Sequence, residues 1–239
     1  MTDAHCHVAS GEPIREWLIG RDFVGVHPWE VGEFVELGEG EGLRRTKVVN
    51  SAVGLSPQPF NLSTPQTSQT SQTPSTLSIK GIGEIGLDRL RAREIPPKMR
   101  EVFEAQLAIA AERHWPVVLH GAKCWGQVVT ACRPYAKTIP AFLFHGFSRS
   151  DGLIPDIVAL NGYISVGPAV LNDHAVNYRE LVKKIPLDRL LVETDRTPEN
   201  AATCPSVFDV AAKTAELRGF SLEEFETLVD ANADNFLRR

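Results

Sequence analysis

The sequence predicts an α/β fold, a parallel sheet covered by helices, and three observations carry that prediction. Short apolar runs of strand length alternate with segments of helical period along the 239 residues. Pro97, Gly219 and the Ser221 to Glu224 capping box mark helix starts and stops among those segments. Most of the runs finish, at their C-terminal side, in a side chain that can bind a metal, and strand ends of a parallel architecture converge on one face.

Taken in order, the strands are expected at Thr2 to His7, Asp22 to His27, Ile79 to Ile85, Pro116 to His120, Ala141 to His145, Tyr163 to Val166 and Leu190 to Thr194. Between the third and fourth, Pro97 to His114 places Met99, Val102, Phe103, Gln106, Leu107 and Ile109-Ala110 at helical spacing, with Pro97 suited to a first turn. Near the C-terminus Gly219 closes one helix, and Ser221-Leu222-Glu223-Glu224 has the capping-box form that opens another, through Leu228 to Phe236. Trp17-Leu18-Ile19 and Lys47-Val48-Val49 compete to be an eighth strand. A closed (β/α)₈ barrel requires eight strands. The alternative is an open doubly wound sheet, although no G-x-G-x-x-G follows any strand.

One stretch lies outside this pattern. From Ser56 to Thr76 only Phe60, Asn61 and Leu62 are not Ser, Thr, Pro or Gln, so residues 56–76 are expected to be a flexible low-complexity insertion in a single domain spanning 1–239. Lys plus Arg number 25 against 30 for Asp plus Glu, a formal net charge of -5. No global basic field is available to hold a polyanion, so any phosphate must be bound locally. The four cysteines form no C-x-x-C pair, the first residues do not resemble a signal peptide, and no run of 18 apolar residues occurs. The expectation is a cytoplasmic protein with no membrane partner.

The strand-end residues are His5, His7, Glu84, His120, His145 and Asp195. His5 and His7 are two apart, so on a strand both imidazoles face one side and Cys6 faces the other, into packing. Singly, each residue has an ordinary structural reading: a core histidine, a turn carboxylate, a helix cap. What those readings do not account for is the coincidence of six at strand ends. Glycines around Glu84, in Gly83-Glu84-Ile85-Gly86-Leu87-Asp88, permit close approach of a neighbouring strand.

His5-Cys6-His7, Gly25-Val26-His27-Pro28, Gly83 to Asp88, Val118-Leu119-His120, Phe144-His145-Gly146-Phe147 and Val192-Glu193-Thr194-Asp195 resemble, in this order, the motifs of the TatD-like metal-dependent deoxyribonucleases. The resemblance implies a TIM-like (β/α)₈ barrel, here shortened or incomplete near strand 2, since only fourteen residues separate His7 from Asp22. It also implies a two-metal centre that hydrolyses phosphodiesters. In it His5, His7 and Asp195 hold one ion, His120 and His145 the other, and Glu84 is shared, with Asp195 and Glu84 as the catalytic carboxylates. The ions would be Zn²⁺, Mn²⁺ or Mg²⁺, and four imidazoles favour the softer ones. The implied substrate is DNA, at single-stranded ends.

Two divalent ions against two carboxylates and one hydroxide leave an expected excess of about +1 at the pocket. Substrate contacts are expected from Lys123, which stands near the place of the family's arginine, and from Trp29, which replaces a family histidine. Arg196 replaces a proline, and His27 and Arg149 lie near the same mouth. Two other functions fit the same ligands: hydrolysis of a small amide, lactone or phosphotriester, and a non-catalytic metal-carrying or partner-binding barrel.

Overall fold

The computed structural model describes residues 1–33, 79–90, 93–148 and 151–238. The insertion at 56–76, the strand candidate Lys47 to Val49 and Arg149 lie outside them.

Eight strands are present among the described residues: β1 Thr2–Cys6, β2 Arg15–Leu18, β3 Phe23–Val24, β4 Gly81–Asp88, β5 Val117–Ala122, β6 Phe142–Phe144, β7 Gly162–Val166 and β8 Leu190–Val192. The eighth strand is thus β2, which takes in Trp17 and Leu18. Every pairing between named strands is parallel: β3 to β8 form one sheet in chain order, and β1 pairs with β2 in a second. Two seams join the sheets into a ring. At one, the Asp195 N–H donates to the His5 carbonyl (3.0 Å) and the His7 N–H to the Arg196 carbonyl (2.7 Å). At the other, a lone parallel bridge links Ile19 and Phe23.

That second seam is where the barrel is abbreviated. No helix is found between β1 and β2 or between β2 and β3, and the turn between the latter is held by Asp22, whose carboxylate accepts from the Leu18 N–H at 3.0 Å. The expected strand to His27 stops at Val24. Its continuation is paired instead by the buried Gln106 amide, which accepts from the Val26 N–H (2.6 Å) and donates to the Val26 carbonyl (3.2 Å). A helix side chain thereby replaces a neighbouring strand as the hydrogen-bond partner.

The helices are α1 Pro97–Arg113, α2 Trp125–Cys132, α3 Ile154–Ala159, α4 Val176–Lys184, α5 Val207–Arg218 and α6 Leu222–Leu237. α1 buries Met99, Val102, Phe103, Gln106, Leu107 and Ala110 of the stripe its spacing predicts, and Ile109 is only partly buried. Gly219, at φ +75°, ends α5, and the Ser221–Glu224 capping box opens α6. Among the described residues no helix is long and apolar enough to cross a membrane.

All eight residues of β4 are buried, as both-face coverage of a parallel strand requires. Val118, Leu143, Tyr163 and Leu191 pack with Ala4, Trp17, Phe23 and, from α6, Ala233 and Phe236. His120, His145 and Glu193 follow two residues after Val118, Leu143 and Leu191. The two-residue period therefore sets a polar layer on this apolar one. At the Glu84 level β4 and β5 approach closely: a Cβ on Gly86, which has φ +153°, would meet the His120 carbonyl at 2.0 Å.

Candidate metal centre

Glu84 sits at the middle of the polar layer, with only 4% of its surface exposed. Its two oxygens face different partners. Oε2 lies 3.4 Å from His5 Nε2 and 3.6 Å from His7 Nε2, and these nitrogens lie 3.4 and 3.6 Å from Asp195 Oδ1. Oε1 lies 2.6 Å from His120 Nδ1, 3.0 Å from His145 Nε2 and 3.6 Å from His27 Nε2. One carboxylate thus divides four of the strand-end residues and His27 into two sets.

The Oε2 set has the spacing of a coordination shell. Ligands about 2.1 Å from a tetrahedral ion stand about 3.4 Å from one another, close to the four distances above. Among the described residues neither nitrogen of the fully buried His5 makes a hydrogen bond, and its Nε2 stands 3.4 Å from each of two carboxylates. An unpartnered buried imidazole is costly, and an ion at its Nε2 removes that cost. The donor chemistry, imidazole with carboxylate, suits a divalent transition metal, so the residues present fit such an ion.

On the Oε1 side each imidazole is backed by a second carboxylate. His120 Nε2 lies 2.8 Å from Asp88 Oδ2, and His145 Nδ1 lies 3.3 Å from Glu193 Oε1. Glu193 is itself fixed: Oε1 accepts from the Gly146 N–H at 2.8 Å, and Oε2 accepts from the Ser165 hydroxyl. His145 also stacks on His5, with ring centroids 3.8 Å apart, and comes within ligand reach of His5 and Asp195. Its Nε2 also lies 3.0 Å from Glu84 Oε1, and His27, Glu84 and His120 form a further group within ligand reach of one another.

These groups shift one another's charge. Burial pushes the Glu84 carboxyl up, but the His145 and His5 imidazoles outweigh it and hold the group well below the usual range. His145 is pushed down by burial and held well above its ordinary value by Glu84 and Glu193. His5 is pushed down by burial and by His145, yet Glu84 and Asp195 lift it to about 9. His7, lowered by burial and by the His5 charge, stays the less basic of that pair. For Asp195 burial acts upward and the His5 and His145 imidazoles bring the carboxyl below its usual value.

Asp195 is held in the left-handed region, at φ +50°, a conformation unusual for a residue with a side chain. The turn it makes after β8 is fixed by the bond from its N–H to His5 and by Asn200 Nδ2, which donates to its carbonyl at 3.2 Å. Its side chain remains 48% exposed, so one oxygen meets the imidazoles while solvent reaches the group. Asp3 joins the same two strands from below: its carboxylate accepts from the Thr194 N–H (3.0 Å), the Thr194 hydroxyl (2.6 Å) and the His5 N–H (3.3 Å). Cys6 faces away from the centre, its thiol buried against the Trp17 carbonyl at 3.7 Å.

The six strand-end residues therefore come together, and His27 joins them. Trp29 lies at the mouth, 47% exposed, with its ring 6.2 Å from that of His120. Lys123 is exposed just past β5. Arg196 does not join the cluster: its guanidinium donates to the carbonyls of Ala201 (2.8 Å) and Cys204 (3.5 Å) and so braces its own loop. Sequence reasoning missed Asp3, Asp88 and Glu193 as parts of the site. The signal was an acidic residue inside or ending an apolar run, the same signal that singled out Glu84. Asp88 and Glu193 also bring two more carboxyl groups to the pocket than the expected excess of about +1 took into account.

The family model for TatD related DNase matches residues 2–238. The chain is 32% identical over 167 residues to an uncharacterized metal-dependent hydrolase, YabD, of Bacillus subtilis, across 67% of this chain and 66% of that protein. It is 30% identical over 166 residues to the 3'-5' ssDNA/RNA exonuclease TatD of Klebsiella pneumoniae, across 64% of this chain and 63% of that one. The chain thus spans a little under two thirds of the length of these relatives. Among solved structures, YjjV, a TatD homolog of Escherichia coli K12, superposes with a TM-score of 0.55 at 25% identity, over 66% of this chain and 63% of that one. A TatD family hydrolase of Entamoeba histolytica gives 0.56 at 17% identity over the same shares, a likeness of fold. With a parallel barrel, strand-end histidines and carboxylates gathered on Glu84 and a family match over residues 2–238, this chain belongs to the TatD-related DNase family.

Proposed function

We propose that the protein is a metal-dependent hydrolase that removes nucleotides from single-stranded nucleic-acid ends, using two divalent ions that share Glu84. The carrying observation is the division of that carboxylate, with Oε2 facing His5 and His7 and Oε1 facing His120 and His145. In this reading His5, His7, Asp195 and Glu84 hold one ion, and His120, His145 and Glu84 the other. Ions held there would supply Lewis acidity and would lower the pKa of a water.

The protein's own groups do the rest. Asp195, half open to solvent, accepts the proton of the attacking water. Trp29 offers a face on which a terminal base stacks, and His27 and Lys123 contact the phosphate. Further basic side chains lie beyond β4: Arg89, Arg93 and Arg100 line a cavity of about 330 Å³ together with Glu94, Ile95 and Gln127. Because Asp88 and Glu193 bring two more carboxyl groups to the pocket, this rim is what draws a phosphate chain to an otherwise acidic protein. Relatives named as 3'-5' exonucleases of single-stranded DNA and RNA support the same substrate.

The test is degradation of end-labelled single-stranded oligonucleotides by metal-free protein and by protein reloaded with Mn²⁺, Zn²⁺ or Mg²⁺. The reading expects a ladder shortening from the 3' end only after reloading. Turnover confined to small amides, lactones or phosphotriesters would replace it with the second hydrolase reading, and loaded protein inert to every substrate would leave a carrier.

A further inference from the structure

We infer that Asp88 and Glu193 are positioning residues for one ion of the pair: they fix His120 and His145 against Glu84 Oε1 and so hold that ion independently of its neighbour. The inference rests on the two-ion reading above. On the Oε1 side both imidazoles have a buried carboxylate on the nitrogen turned away from Glu84, at 2.8 Å for Asp88 and 3.3 Å for Glu193. The two carboxylates are about as buried as Glu84, at 2% and 1% exposure. A carboxylate on the far nitrogen fixes which nitrogen carries the proton, locks the ring's orientation and makes the near nitrogen a better donor.

The opposite side lacks this arrangement. His5 Nδ1 has no partner, and no carboxylate among the described residues is paired with the far nitrogen of His7. Glu193 is also constrained beyond its imidazole, through the Gly146 N–H and the Ser165 hydroxyl. It is therefore held in one position whether or not the ion is present. The Asp88 Oδ1 atom accepts from the Leu90 N–H at 2.5 Å, which aims Oδ2 at His120. Removing either negative charge without changing shape should weaken one ion and spare the other.

The experiment uses metal-free full chain titrated with Mn²⁺, with bound metal counted by elemental analysis and the spin state followed by electron paramagnetic resonance. Wild type should take up two ions and give an exchange-coupled signal. Asp88→Asn and Glu193→Gln should each bind one ion with unchanged affinity and the second about 10- to 100-fold more weakly, so that the coupled signal gives way to that of isolated Mn²⁺. Ser165→Ala, which loosens Glu193 but keeps its charge, should do the same to a smaller degree and decides the matter if a charge variant does not fold. Two ions bound as in wild type, or both weakened equally in protein of wild-type circular dichroism, would overturn the inference. A wild type that holds fewer than two ions would instead sink the two-ion reading.

Discussion

On the Oε2 side of Glu84 the proposed ligands are held through the backbone, whereas on the Oε1 side they are held through side-chain carboxylates. His5, His7 and Asp195 sit where β1 meets the end of β8, and that seam consists of main-chain bonds plus Asp3, which ties His5 to Thr194. His120 and His145 are instead steadied ring by ring, by Asp88 and Glu193. The difference follows from position. A ligand strand at the barrel's closure can be fixed by the closure itself, while strands inside the sheet leave their terminal side chains free to rotate and need a partner for each.

The largest effect is expected where the halves meet. Glu84→Ala should lose both ions together and lower the rate by ~10³-fold or more; metal counting beside the nuclease assay checks it, and retention of either ion at full affinity would break the picture of a shared carboxylate. Asp195→Asn should be next. It keeps the shape of the seam and removes the proton acceptor, so the rate should fall by about 10²- to 10⁴-fold while the Oε1-side ion is retained. Single-turnover rates at saturating Mn²⁺ read this directly.

Outside both halves, Arg93→Ala combined with Arg100→Ala should leave metal content alone. Binding to a single-stranded oligonucleotide should weaken, and the slope of log affinity against log salt should shrink by about 0.7 for each phosphate that is no longer neutralised. An unchanged slope would remove the rim from the account. The smallest effect concerns Asp3. Burial lifts its carboxyl to about 7 despite the bonds from Thr194. The folded state keeps a proton that the unfolded chain releases near pH 4, so this group's contribution to stability falls as pH rises from about 4 to about 7. Asp3→Asn cannot ionise and should gain a few degrees in Tm relative to wild type on going from about pH 5 to about pH 8. A constant difference between the two proteins would show that Asp3 does not titrate in this way.

Much of this was legible in the sequence because the barrel converts a one-dimensional rule into a site. A polar residue at the end of an apolar strand run marks the C-terminal rim, and His5, Glu84, His120 and His145 could be found by that rule alone. The shortened region near strand 2 was legible as too few residues between His7 and Asp22, though its repair was not. The Gln106 amide that pairs Val26 comes from a helix far along the chain, and a glutamine on a buried stripe carries no sign of its partner. Arg196 was less legible: its position left it open between a phosphate and solvent, and its guanidinium instead donates to the carbonyls of its own loop. Asp88 and Glu193 were visible as acidic residues in apolar runs. Their pairing with His120 and His145 depends on strand order and register, which spacing along the chain does not encode.

The claim on which the rest stands is that Glu84 gives one oxygen to each of two ions. Anomalous diffraction from Mn²⁺-loaded crystals tests it most directly. The account predicts two peaks, one enclosed by His5, His7, Asp195 and Oε2 and the other by His120, His145 and Oε1. A single peak between His5, His145 and Asp195, with Glu84 on neither side of a pair, would contradict it.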